Sequence, residues 1–173
     1  GHGATFRVEL PLPRGEASAI AATPAEAENE PSEGALRLLA AEDNPTNQQV
    51  LAAVMGALGI DIDIVPNGKA AFEAWRDGAY DLVLMDIQMP VMDGIDSARA
   101  IREAEQAQGR RRTPIVALTA NALSHQVQES LAAGMDGHVA KPIEIAKLYE
   151  AISRALTEAA QAPARPAADS AAA

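Results

Sequence analysis

The sequence predicts an α/β protein, a doubly wound (βα)5 sandwich on a five-stranded parallel sheet. Three observations predict it. After Gly34, five short apolar runs alternate with five segments of helical periodicity, the pattern of parallel strands joined by crossover helices. Hydrophobic residues make up 48% of the chain but aromatics only 3%, so the core has to be built from Ala, Val, Leu, Ile and Met. A chain of 173 residues holds one domain of ordinary size, about 100 to 150 residues, plus tails.

The expected strands are 36–41, 61–65, 81–85, 114–118 and 137–140. The first helix, 45–58, carries Val50, Leu51, Val54 and Leu58 at helical spacing, with Asn44 as its cap and Pro45 at its first position. The other helices are expected at 69–77, 95–106, 122–133 and 145–160. On the last, Ile145, Leu148, Ile152 and Leu156 share one face that reads as core, beside Tyr149 as a candidate partner contact. Residues 14–34 are Ala, Glu, Pro and Ser with almost no large apolar side chain, which predicts a flexible linker. Before it, 1–13 contains one alternating run stopped by Pro11 and Pro13. The Ala-rich end, 159–173, is expected to fray.

A formal charge of -10 and a pI near 4.7 exclude electrostatic binding to nucleic acid or anionic lipid, which needs clustered Lys and Arg. The one basic run, Arg110, Arg111 and Arg112, reads as a solvated loop. With no cysteine, disulfides, thiol catalysis and thiolate-bound zinc are excluded. No run reaches the roughly 18 apolar residues that cross a bilayer and no signal peptide opens the chain. The expectation is a cytoplasmic fragment with no direct membrane contact, any anchor belonging to a parent chain.

The informative polar residues fall at strand ends. Glu42 and Asp43 follow the first expected strand, Asp86 the third, Thr119 the fourth and Lys141 the fifth, and a doubly wound sheet brings such positions to one edge. Three carboxylates there repel one another unless a cation joins them, and an all-oxygen site suits Mg²⁺. An ammonium and a hydroxyl beside them can hold the oxygens of a transferring phosphoryl group, with Asp86 as the nucleophile.

Glu42-Asp43-Asn44, Asp86-Ile87-Gln88-Met89-Pro90, Leu118-Thr119-Ala120 and Lys141-Pro142 together resemble the receiver domains of two-component signalling, over residues 35–156 of a receiver unit expected at 35–158. The resemblance implies a flavodoxin-like sheet with strand order 2-1-3-4-5. It implies Asp86 as phosphoacceptor, with Mg²⁺ bound by Asp43 and Asp86, by Glu42 through water and by the backbone carbonyl of Gln88. Lys141 is implied as the partner of acceptor and phosphate, before a cis bond to Pro142, and Thr119 as the switch hydroxyl. The switch partner, aromatic in the family, is here His138. The side chains of Gln88 and Asn121 are implied to tune the lifetime of the phosphoryl group. Met89-Pro90 and Met92-Asp93-Gly94 match the loop after the acceptor.

The phrase from Glu42 to Gln48, and that from Ala117 to Ala122, resemble receivers of hybrid histidine kinases, and 1–13 resembles the last strand of a kinase ATPase domain. The implied partners are the dimerisation and phosphodonor domain of a histidine kinase, in cis or trans, and a histidine phosphotransfer protein. His2 and His125 lack the surroundings of a phosphodonor histidine. Two alternatives stand beside this reading, a docking module on the kinase core and a stand-alone response regulator. A haloacid-dehalogenase-like phosphatase would need a second Asp where Gln88 stands.

Overall fold

Five strands, β1 (Arg37–Ala41), β2 (Asp61–Val65), β3 (Leu82–Asp86), β4 (Ile115–Thr119) and β5 (Gly137–Ala140), alternate with five helices in the computed structural model of the chain. The helices are α1 (Pro45–Ala57), α2 (Gly68–Asp77), α3 (Gly94–Gln108), α4 (His125–Ala132) and α5 (Ile145–Gln161). The structure describes residues 36–120 and 125–161. The expected strand at the chain's start, the linker, Asn121 and the end of the tail lie outside them.

All pairings are parallel and the strand order is β2-β1-β3-β4-β5, as expected. Two strands run one residue further than the apolar runs implied. Asp86 is in register with Leu118, and Thr119 with Ala140. Both polar residues therefore close their strands instead of following them, which fixes their backbones in the ladder.

β1, β3 and β4 are covered on both faces and are apolar to within a residue of each end, as buried parallel strands must be. Leu38, Leu84 and Leu118 point to the layer formed with Leu51 and Met55 of α1 and Leu148 and Ile152 of α5. Leu39, Val83 and Met85 point to the opposite layer, with Ala71 and Trp75 of α2 and Ile101 of α3. Leu148 and Ile152 thus meet the expectation for α5, but Ile145 is 57% exposed. It stands in the first turn, past the end of the sheet, and Ile143 before the helix packs on the core in its place.

The basic run is also different from its expected role. Arg110 lays its guanidinium 4.3 Å from the centroid of the Trp75 ring and donates to the carbonyls of Arg76 at 3.0 Å and Gly78 at 3.2 Å. It satisfies the carbonyl end of α2, which a helix cannot satisfy itself. Arg112 donates to Asp136 at 2.9 Å and to the Gly134 carbonyl at 2.7 Å. Arg111 is exposed, as expected.

Below the sheet's amino edge a charged cluster is buried almost completely. The side chain of Arg102, 12% exposed, bonds Glu105 at 2.7 Å and Asp136 at 2.9 Å, and donates to the carbonyls of Thr113 and Gly134. Glu105 accepts the Thr113 N–H at 2.6 Å, and the Thr113 hydroxyl accepts the Trp75 indole N–H at 2.9 Å. Burial pushes the Arg102 guanidinium down from its ordinary pKa, opposed by the charges of Glu105 and Asp136. Removing one partner of such a pair strands the others without water. Arg102→Ala is expected to cost about 3 to 5 kcal/mol in urea denaturation, with the midpoint moved and the slope unchanged.

Candidate functional site at the carboxyl edge of the sheet

Glu42 follows β1 and is fully buried, while Asp86 closes β3 at 5% exposure. Asp43 is exposed at the rim. One carboxylate oxygen from each of the three lies within 4.8 Å of the others. Lys141, just past β5, places its Nζ 2.6 Å from Asp86 Oδ2 and 2.8 Å from Glu42 Oε2.

The elements around these groups explain their geometry. The Glu42 N–H is tied to the Val65 carbonyl at 3.0 Å, its own carbonyl accepts Gln48 Nε2 at 2.6 Å, and its Oε1 accepts Asn47 Nδ2 at 2.9 Å. Asn44 caps α1 by accepting the N–H of Thr46 at 2.9 Å, as expected. The loop after Asp86 is drawn in tightly. A Cβ at Gly94 would collide with the Asp86 carbonyl oxygen, so only glycine lets α3 begin beside the end of β3. Val91, with φ of 72°, turns that loop between the Pro90 carbonyl and the Met92 N–H, 2.9 Å apart.

The electrostatics are those of an incomplete site. Burial raises the pKa of Asp86 from its ordinary value, the Lys141 ammonium pulls it back, and the Glu42 charge adds to the rise. Burial works against the Lys141 charge, but the carboxylates of Asp86 and Glu42 outweigh it, so its pKa is raised. Glu42 Oε2 is buried and accepts no hydrogen bond of good angle, leaving the ion pair with Lys141 as its contact. Three carboxylates against one ammonium leave two negative charges among hard oxygen atoms. A small divalent cation such as Mg²⁺ fits that donor set.

Of the residues singled out in the sequence, Glu42, Asp43, Asp86 and Lys141 come together here. Thr119 is 1% exposed at the end of β4, between β3 and β5 in the sheet, and its hydroxyl lies 3.5 Å from Gln126 Oε1. The backbone N–H of Gln88 donates to Asp86 Oδ1 at 3.3 Å, and Gln88 lines a cleft with Asp43, Met89 and Gln126. His138 is half-buried on β5, in register with Ala117. The Lys141–Pro142 bond is cis, as the resemblance implied. His125 pairs with Glu129 at 3.2 Å on the surface of α4. Sequence reasoning did not single out Asn47 or Gln126, and it placed Gly94 only in the loop after Asp86. For Asn47 the signal was present: it stands three residues past a cap that itself follows the acidic pair.

The family model for the response regulator receiver domain matches residues 38–153. The chain belongs to that family. As a receiver domain it is 39% identical over 134 residues to the sensor histidine kinase GacS of Pseudomonas protegens, covering 75% of this chain and 15% of the relative. It is 37% identical over 120 residues to the histidine-protein kinase BarA of Escherichia coli, covering 69% of this chain and 13% of the relative. The chain thus spans less than a fifth of the length of these curated relatives.

Among solved structures it is similar to the receiver domain of the Pseudomonas aeruginosa sensor histidine kinase PA1611, which holds a magnesium ion in its active-site cleft. That likeness has 38% identity and a TM-score of 0.65, over 71% of this chain and 98% of the other. It is also similar to a co-crystal structure of the Saccharomyces cerevisiae phosphotransfer protein Ypd1 with the receiver domain of Ssk1. There the identity is 29% and the TM-score 0.66, over 72% of this chain and 92% of the other.

Mg²⁺ is expected to stabilise the folded receiver by about 2.7 kcal/mol at 100 times its dissociation constant, and Asp43→Ala to lose most of that gain. Thermal melts with Mg²⁺ against EDTA check both. In EDTA the raised Asp86 pKa has a definite sign. Its favourable contribution is present below the ordinary carboxylate value and is lost as pH rises through the folded value. Asp86→Asn is therefore expected to gain stability relative to the parent over that rise, read by melts at stepped acidic pH.

Proposed function

We propose that this receiver domain is the phosphoacceptor of a hybrid histidine kinase, and that Asp86 is the residue phosphorylated. The observation that carries the reading is the carboxylate of Asp86 at the strand end, 2.6 Å from Lys141 and within a cluster of three acidic side chains. In the step proposed, an Asp86 carboxylate oxygen attacks the phosphorus of a phosphohistidine. The P–N bond breaks with its electron pair passing to the ring nitrogen, a P–O bond forms, and the histidine, already protonated on its other ring nitrogen, leaves as neutral imidazole. Bound Mg²⁺ would neutralise phosphoryl oxygens, held by Asp43 and Asp86, with Glu42 acting through water and Gln88 through its backbone carbonyl. Lys141 and Thr119 would hold the remaining phosphoryl oxygens.

The side chains of Gln88 and Asn121 are proposed to set how readily water reaches the acyl phosphate, and His138 to take the position of the family's aromatic switch partner. Residues 35–158 would form the receiver unit, after a linker at 14–34 and the end of a kinase ATPase domain at 1–13. The phosphoryl group would come from the dimerisation and phosphodonor domain of a histidine kinase and pass to a histidine phosphotransfer protein. The likeness to GacS and BarA supports the kinase setting, and the Ypd1 complex of a similar receiver supports the second partner. No described helix is long and apolar enough to cross a membrane; a cytoplasmic place is part of the proposal.

Acetyl phosphate with Mg²⁺ tests the reading without a protein donor. The expected outcome is one phosphoryl group per chain on a phosphate-affinity gel, none with EDTA and none in Asp86→Asn. Lys141→Ala is expected to slow labelling by about 10² to 10³. Undiminished labelling of Asp86→Asn would overturn the assignment.

A further inference from the structure

We propose that Asn47 is a positioning residue for the Mg²⁺-dependent step, holding Glu42 in the orientation in which it shares Lys141 with Asp86. The inference rests on Asp86 as phosphoacceptor and extends that site by one layer. The start of α1 departs from the usual capping box. Asn44 is the cap, so Asn47 is the third helical residue. In the usual capping box that residue is Glu or Gln, and it accepts the backbone N–H of the cap. Here the Asn44 N–H points instead to Glu42 Oε1, at 3.3 Å, and the Asn47 side chain is a donor that closes on the same oxygen at 2.9 Å. A carboxylate from the end of the sheet has taken the acceptor's part in the helix cap.

Two donors on one oxygen fix the plane of the carboxylate. Glu42 Oε2 is then left facing Lys141, at 2.8 Å. Glu42 is fully buried with Asn47 in place, and a leucine at 47 would keep water from replacing the donor lost at Oε1. Without Asn47, that oxygen keeps only the longer bond from Asn44, and the carboxylate is free to rotate and to draw Lys141 from Asp86. An amide suits position 47 where the capping box would favour Glu, since a second carboxylate would compete for the Asn44 N–H and repel Glu42. Asn47 thus links the cap of α1 to the partition of one ammonium between two carboxylates. It need touch neither the metal nor the phosphoryl group.

The test uses Asn47→Ala and Asn47→Leu in the full chain, the second keeping bulk without a donor. Both are required to retain the near-ultraviolet circular dichroism of Trp75, buried in the opposite layer. Calorimetric titration with Mg²⁺ is expected to give a dissociation constant about tenfold above the parent's, the low end for a partner of a metal-holding group. Labelling by acetyl phosphate at saturating Mg²⁺ is expected to be slower as well. A merely structural role would lower the melting temperature in EDTA and leave the Mg²⁺ constant alone. Constants within twofold of the parent in both variants overturn the role of Asn47 while the parent still labels on Asp86. A parent that takes no phosphate overturns the phosphoacceptor reading itself.

Discussion

Glu42 and Asp86 are both buried and share a single ammonium, that of Lys141. This sharing constrains the rest of the carboxyl edge. Lys141 leaves the end of β5, two strands away from β3 in the order β2-β1-β3-β4-β5. Two strand spacings are about 9.5 Å, so the side chain has to be long, and it has to cross the end of β4 to arrive. Thr119 ends β4, which puts a hydroxyl beside the path of the ammonium. The crossover topology, more than any single contact, brings an ammonium and a carboxylate together from two strands, with the strand that ends in Thr119 between them.

Their arrangement is deliberately unbalanced in charge. One ammonium cannot neutralise three carboxylates, and burial raises the cost of leaving the imbalance. The site lowers its free energy by accepting a cation, and it lowers it further if the cation brings anionic oxygens for Lys141. The metal binding and phosphoryl transfer proposed for this site would draw on the same repulsion. Full switching between two conformations needs about 5.5 kcal/mol of differential contact energy. In the proposed transfer Lys141 would leave Glu42 and Asp86 for a phosphoryl group, a change of partners for a half-buried charge that would contribute to that sum.

How much of this was legible in the sequence depended on whether the signal was local. Period and punctuation revealed all ten elements, because buried parallel strands are continuous apolar runs and Asn44-Pro45 is a local start signal. Glu42, Asp43, Asp86, Thr119 and Lys141 were legible because a strand end is itself a local feature, and topology then brought four of them into one site with Thr119 at its side. What escaped was long-range. Arg110 reads as a solvated loop residue until Trp75, thirty-five positions earlier, is folded beneath it. Ile145 fits a helical stripe, but a stripe does not say where the sheet beneath it ends.

The two edges of the sheet use the same residue types to opposite ends. At the amino edge Arg102, Glu105, Asp136 and Arg112 form a network in which each named carboxylate meets a guanidinium or a backbone N–H. Such a closed set gains nothing from a ligand and resists deformation. At the carboxyl edge Asp86 has one strong partner and Glu42 Oε2 has no hydrogen bond of good angle, so a ligand is what completes the set. A domain whose buried charges were satisfied at both edges would be stable and inert. One left open at both would lack a fixed frame against which a phosphoryl group could do work. If Asp86 is the acceptor proposed above, the added charge would enter the open edge, while the closed network at the other edge needs no new partner.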